Sequence, residues 1–147
     1  MTDIKLTFQL TDKQMGDGPV STESLWCAAE AGLFRVKNIP FFIDGLSFDD
    51  LISVKRRSDE SYDIAGIIER SRNSTVWLYL KKESGGRCVL DEVKGLGCGV
   101  EGGAVADYFA INVPETVNFK TVQFLLSSGE KAGALIFDVP SMRHSTA

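Results

Sequence analysis

Ile4-Lys5-Leu6-Thr7-Phe8-Gln9-Leu10 alternates apolar and polar side chains residue by residue. A half-buried strand needs that pattern and a helix cannot use it. Gly16-Asp17-Gly18-Pro19 ends the run with turn chemistry. Glu23 to Glu30, containing Leu25, Trp26 and Cys27, reads as a second strand, and Ala31-Gly32 turns the chain into Leu33-Phe34-Arg35-Val36-Lys37 as a hairpin. Asn38-Ile39-Pro40-Phe41-Phe42 prolongs that strand. Proline lacks the ladder N–H, so this stretch belongs on an edge, at a bulge or at a strand end. After Asp44-Gly45, the segment Ser47-Phe48-Asp49-Asp50-Leu51 reads as a turn or as one helical turn capped by Ser47. Leu51 to Arg57 and Tyr62 to Arg70 are two further strands, separated by the polar turn Ser58-Asp59-Glu60-Ser61. Regular spacing of this kind predicts an antiparallel β meander or half-barrel over residues 1–72.

The second half changes rhythm. Thr75-Val76-Trp77-Leu78-Tyr79-Leu80 is a strand rich in aromatic and β-branched residues. After Ser84-Gly85-Gly86 comes a short helix, Arg87 to Lys94, stopped by Gly95 and Gly97. Cys98 to Glu101 and Asp107 to Val113 are strands around Gly102-Gly103. Asn118 caps a longer helix with Phe119, Val122, Leu125 and Leu126 on one face and Gly129 just past its end, and Ala134 to Val139 is the last strand. The order β-α-β-β-α-β predicts a ferredoxin-like unit over residues 73–140, and an α+β fold class for the whole. At 147 residues the chain has the size of a single compact domain. The two halves are subdomains meeting near Ser71 to Ser74, or they share one sheet.

Composition narrows the function by exclusion. The net charge is −4, and residues 1–75 hold 12 acids and 9 bases against 8 and 7 in the remainder. Non-specific nucleic-acid or anionic-membrane binding calls for the opposite sign, whereas a basic protein partner suits this one. Mild acidity serves solubility equally well. No apolar run approaches the roughly 20 residues that cross a bilayer, and Met1-Thr2-Asp3-Ile4-Lys5 lacks the basic and apolar regions of a secretion signal. The expected compartment is the cytoplasm, and three cysteines, an odd count, fit a reducing environment.

Catalytic groupings are missing from the pattern. The single histidine, His144, lies four residues from the end, on a tail that is a poor platform for acid–base or metal chemistry. Cys27, Cys88 and Cys98 form no CxxC and read as buried apolar residues rather than metal ligands. Gly95-Leu96-Gly97-Cys98-Gly99 follows a helix and precedes a strand, the reverse of a phosphate-binding loop. Asp49-Asp50 and the Asp59-Glu60-x-x-Asp63 group lack calcium-loop spacing and read as solvated turns. In Glu69-Arg70-Ser71-Arg72-Asn73-Ser74-Thr75, the serines and asparagine serve turn backbone while Glu69 pairs with a base across the sheet; the functional rival puts Arg70 and Arg72 on a recognition edge. Trp26 and Trp77 read as core aromatics, but Trp77 and Tyr79 share one strand face and offer a partner hot spot.

Leu25-Trp26, Val36 to Phe42 with Gly45-Leu46, Asp50, Gly66 to Arg70 followed by Ser71, Ser74 and Thr75, and Leu96-Gly97-Cys98 with Glu101-Gly102 together resemble an uncharacterised family of small bacterial domains of unknown function. The resemblance spans residues 23–140, and its most specific stretches are Asn-Ile-Pro-Phe-Phe and Glu-Arg-Ser-x-x-Ser-Thr. It implies a bacterial source and this fold, and carries over no catalytic residue.

The expected function is therefore non-catalytic protein binding without a cofactor or metal: a bacterial immunity protein holding a cognate, basic, nuclease-type toxin inactive. The expected contact acids are Asp44, Asp49, Asp50, Asp59, Glu60 and Asp63, with Arg70, Arg72 and Trp77 as the second surface. The alternative is a small-molecule-sensing regulatory domain, with ligand held between helix and sheet edge.

Overall fold

The computed structural model describes residues 3–15, 20–81, 83–103 and 105–145, leaving aside the side chains of residues 83 and 84. The turn expected at Gly16 to Pro19 lies outside them. The fold is α+β, richer in strand than in helix, and the chain divides into two compact units, Met1–Ser71 and Arg72–Ala147. No helix among the described residues is long and apolar enough to cross a membrane.

The first unit contains β1 (Asp3–Gln9), the short helix α1 (Asp12–Met15), β2 (Thr22–Glu30), β3 (Leu33–Val36), β4 (Leu51–Arg56) and β5 (Tyr62–Glu69). Each strand pairs antiparallel with the next, and the sheet closes into a barrel in the order β1-β2-β3-β4-β5. The expectation of a meander or half-barrel is thus corrected to a closed one. In a meander of five strands the first and last run the same way, so closure is parallel, through the single pair Phe8 and Tyr62. Alternation along β1 and β2 sends Leu6, Phe8, Leu25 and Cys27 into a core shared with Val36, Ile43, Leu46 and Ile52. The same alternation turns Trp26 outward, 45% exposed with the Lys5 ammonium 5.9 Å from its ring centre, so it is not the core aromatic the sequence suggested.

The strand after the first hairpin ends at Val36 rather than running on through Phe42. Asn38 Oδ1 accepts the Trp26 N–H at 2.5 Å, taking the place of a strand carbonyl, and Pro40 has no N–H to give. Glu23, on the inward face of β2, then receives the N–H groups of Phe41, Phe42 and Ile43 at 2.6, 3.1 and 3.2 Å. Ser47 to Asp50 forms a turn rather than a helical one, held by Ser47 N–H on Asp50 Oδ2.

The second unit runs β6 (Ser74–Leu80), α2 (Glu83–Gly95), β7 (Gly99–Gly102), β8 (Tyr108–Val113), α3 (Phe119–Lys131) and β9 (Leu135–Ser141), with an antiparallel sheet ordered β7-β8-β6-β9. One sheet face, with Val76, Leu78, Leu80, Ile111 and Val113, packs with Val89, Leu90 and Val93 of α2 and Phe119, Val122 and Leu126 of α3. Leu126 is fully buried while Leu125 packs only partly.

Both helices outrun the sequence expectation, for one reason. Gly85 and Gly86 lie inside α2, where a Cβ on Gly86 would collide with the Leu80 side chain. Gly129 lies inside α3, where a Cβ would stand 2.8 Å from Leu135 Cδ2 and 3.1 Å from Val89 Cγ2. These glycines permit close packing rather than mark helix ends. The residue that ends α3 is Gly133, at φ 77°, with Gly133 N–H on Glu130 O and Ala134 N–H on Gly129 O, the reciprocal pair of a Schellman motif.

Candidate functional site

The six acids singled out by sequence are mostly engaged by the chain itself. Asp50 is fully buried, with Oδ1 on the Ser71 N–H at 2.8 Å and Oδ2 on the Ser47 N–H at 2.9 Å. Ser71 Oγ donates to Phe48 O at 2.7 Å. Asp50 therefore ties the end of β5 to the turn before β4 and presents nothing to a partner. Asp49 pairs with Lys37 at 2.7 Å, Glu60 with Arg56 at 3.0 Å, and Asp63 receives Arg57 Nη1 on both oxygens at 3.1 and 3.0 Å. Asp59 takes the Ser61 hydroxyl and N–H, at 2.5 and 3.0 Å, and these hold its carboxyl below its ordinary range. Asp44 is exposed and among the described residues accepts only a neutral donor, Gln14 Nε2 at 3.2 Å. Exposed pairs of this kind contribute little energy, but they offset the charge that would recognise a basic partner.

A second ion-pair group lies on β3. Arg35 meets Glu30 at 2.5 and 2.9 Å and Glu69 at 3.4 Å, the cross-sheet pairing anticipated for Glu69. The Arg35 bond holds the Glu30 carboxyl below its ordinary range. Arg70 is exposed, and Arg72 makes only a long 3.9 Å contact with Glu115, both ends exposed.

Trp77 is different. Leu78 and Val76 face the helices, so Trp77 and Tyr79 point to the other face of the sheet, where the register builds two cross-strand rows. One row reads Glu101, Ala110, Trp77, Asp138 across β7, β8, β6 and β9; the next reads Tyr108, Tyr79, Ile136 across β8, β6 and β9. Tyr79 and Ile136 are 43% and 46% exposed, and Trp77 and Tyr108 are half-buried. They line a shallow groove of about 190 Å³ with Asp138 at its edge. Ala110, fully buried, keeps the flank of the indole low, and the carboxylates of Glu101 and Asp138 stand at either end of the row. Large amphipathic rings on rigid strands, bounded by charge, are what hot-spot contacts are made of.

His144 is anchored, contrary to the expectation of a loose tail. Its Nε2 lies 2.9 Å from Pro114 O, an atom that only accepts, so Nε2 carries the proton and in the neutral ring Nδ1 accepts the Ser74 hydroxyl at 2.6 Å. Ser74 Oγ also receives the N–H groups of Arg143 and His144, and the imidazole lies 5.3 Å from the Phe119 ring. Ser74 is fully buried, so this serine–histidine pair holds Arg143 and His144 in place and offers no nucleophile. Burial pushes the Cys27 and Cys98 thiols up to about 11, whereas Cys88 is exposed on α2 rather than buried. Among the described residues no three acid, histidine or cysteine side chains converge as a metal site.

Sequence reasoning missed Glu23, Tyr108, Ile136, Asp138 and the latch at His144. Glu23 was readable: period two puts it on the face of Leu25 and Cys27, so its carboxylate had to find donors inside. The sheet rows were not, because which residues of distant strands stand side by side depends on register.

A family model described as "Domain of unknown function (DUF4265)" matches residues 23–137. Among solved structures, the "Novel crystal structure of a hypothetical protein from Neisseria gonorrhoeae" is similar in fold, with a TM-score of 0.80 at 19% identity over 97% of this chain and 96% of that one. No curated protein matches.

Proposed function

Since the chain belongs to this family of domains of unknown function, we propose on that premise that it is a non-catalytic protein-binding module: an immunity protein that neutralises a basic, nuclease-type toxin. The observation that carries the reading is the row Glu101, Ala110, Trp77, Asp138, an indole on a rigid sheet with a carboxylate at each end. A lysine or arginine of the partner, laid over the indole, gains cation–π attraction there, and the flanking carboxylates steer and orient it. The neighbouring Tyr79, Tyr108 and Ile136 supply apolar area for its aliphatic stem. The strand order β7-β8-β6-β9, with β8 between the two strands joined by α2, supports reading this unit as ferredoxin-like. The contact surface proposed is thus the outer face of that sheet, in place of the acidic loops.

The test is titration against the protein encoded beside this chain's gene, with protection of cells expressing it. Trp77→Ala is expected to weaken binding by about thirtyfold or more, as a central hot spot does, and to lose protection. The pair Glu101→Lys with Asp138→Lys slows association and flattens its salt dependence. Equal affinity for Trp77→Ala rejects this face, and absence of both binding and protection rejects the immunity role.

A further inference from the structure

The geometry points to a ligand site in the barrel, for a small organic cation with an aliphatic body. It starts from a mismatch of strand lengths. The six residues of β4 pair along the eight of β5, with register breaks between Leu51 and Ile52 and between Ser53 and Val54. The extra residues are bulges at Ile68 and Ala65, both exposed, and they leave Ile64 and Ile67 packed against the barrel core. Bulges bend a strand and raise its twist. One residue past the closing pair, Phe8 and Tyr62, β1 ends while β5 runs on, and a cavity of about 390 Å³ lies there, lined from both strands, from Thr11 and Gln14 and from the loop at Ile43 to Leu46, in the range of small-molecule sites.

The cavity is chemically two-sided. Its inner walls are Phe8, Leu46, Ile64 and Ile67, the first two about 1% exposed. Its rim carries the carboxylates of Asp44 and Asp63, and among the described residues no lysine or arginine lines it. Arg57, outside the lining, holds both oxygens of Asp63 and offsets its charge. Among the described residues Asp44 is left with one neutral donor, the Gln14 amide at 3.2 Å. Gln14 is fixed by a capping box on α1, its Oε1 on the Thr11 N–H at 2.9 Å and its own N–H on Thr11 Oγ1 at 3.3 Å. Gln14 takes Asp44 Oδ1, and a ligand nitrogen would sit on Oδ2, which meets no donor among the described residues. A charged ammonium or guanidinium there makes a bond roughly twice as strong as a neutral one, while its alkyl body covers the half-buried Ile64 and Ile67. An anion meets the Asp44 carboxylate, and the nearby base, Arg57, is already engaged by Asp63. This site is in the first unit and does not depend on the reading of the sheet face in the second.

The probe is pentylammonium, with pentanoate and pentanol as matched controls, followed by methyl and amide NMR of the full chain. Pentylammonium is expected to shift the Ile43, Ile64 and Ile67 methyl signals saturably. Asp44→Asn, an exposed position, is expected to weaken that binding about tenfold while leaving the remaining spectrum unchanged, and Ile64→Trp to abolish it by filling the cavity. Pentanoate or pentanol binding as tightly as pentylammonium, an Asp44→Asn variant with unchanged affinity, or shifts confined to Trp77 and Tyr79 would each overturn the assignment.

Discussion

Glu23 is a carboxylate set among apolar side chains, and two effects compete for its proton. Burial disfavours the anion, three backbone N–H groups favour it, and burial prevails, so its pKa is raised above the ordinary value. A raised carboxyl pKa means the folded state holds the proton more tightly than the unfolded one. Its contribution to stability is therefore full below the unfolded pKa and is lost as pH rises through the folded one. Glu23→Gln removes that linkage while keeping the size of the side chain. The stability difference, wild type minus Glu23→Gln, is expected to shrink as pH rises above the ordinary carboxyl range in urea unfolding. A difference that grows over the same range would show that the loop N–H groups outweigh burial. The same residue accounts for the Asn-Ile-Pro-Phe-Phe stretch of the family resemblance: Asn38 ends the strand and Glu23 gathers the next N–H groups, so the motif anchors a loop.

At the scale of elements, α2 and α3 lie close to their neighbours because glycine stands at the contacts. Gly129→Ala improves intrinsic helix propensity by about 1 kcal/mol, yet its methyl would press on Leu135 and Val89. Overpacking at such a site costs about 1–3 kcal/mol, so the variant is expected to be less stable in chemical denaturation; a more stable Gly129→Ala would mean that the contact relaxes freely. This is also where the sequence was hardest to read. The strands of both units and the Asn118 cap follow from alternation and capping chemistry that are local. A glycine that ends a helix and one that lets it approach a sheet look alike until the opposing side chain is known. The closing of the barrel was hidden in the same way, since it depends on Phe8 meeting a residue at the far end of the unit.

For the whole molecule, the distribution of charge along the sequence differs from the distribution of unpaired charge in the fold. The first 75 residues hold most of the excess acid, but Asp49, Glu60 and Asp63 face Lys37, Arg56 and Arg57. Trp77 was legible as a candidate from its place beside Tyr79 on one strand face; its flanking acids, brought by β7 and β9, were not. Reversing Asp59, Glu60 and Asp63 to lysine together is accordingly expected to change the association rate with the partner by less than the Glu101→Lys and Asp138→Lys pair does, in stopped-flow measurements at low salt. A larger effect from the loop triple variant would return the contact to the acidic turns. The single pair that joins β1 to β5 also sets an order in time. Pairings between strands adjacent in sequence close short loops, whereas Phe8 and Tyr62 meet only after the segment between them has found its place. Closing the barrel is thus expected to come late in forming the first unit, with amide exchange at the seam faster than in the β1–β2 ladder.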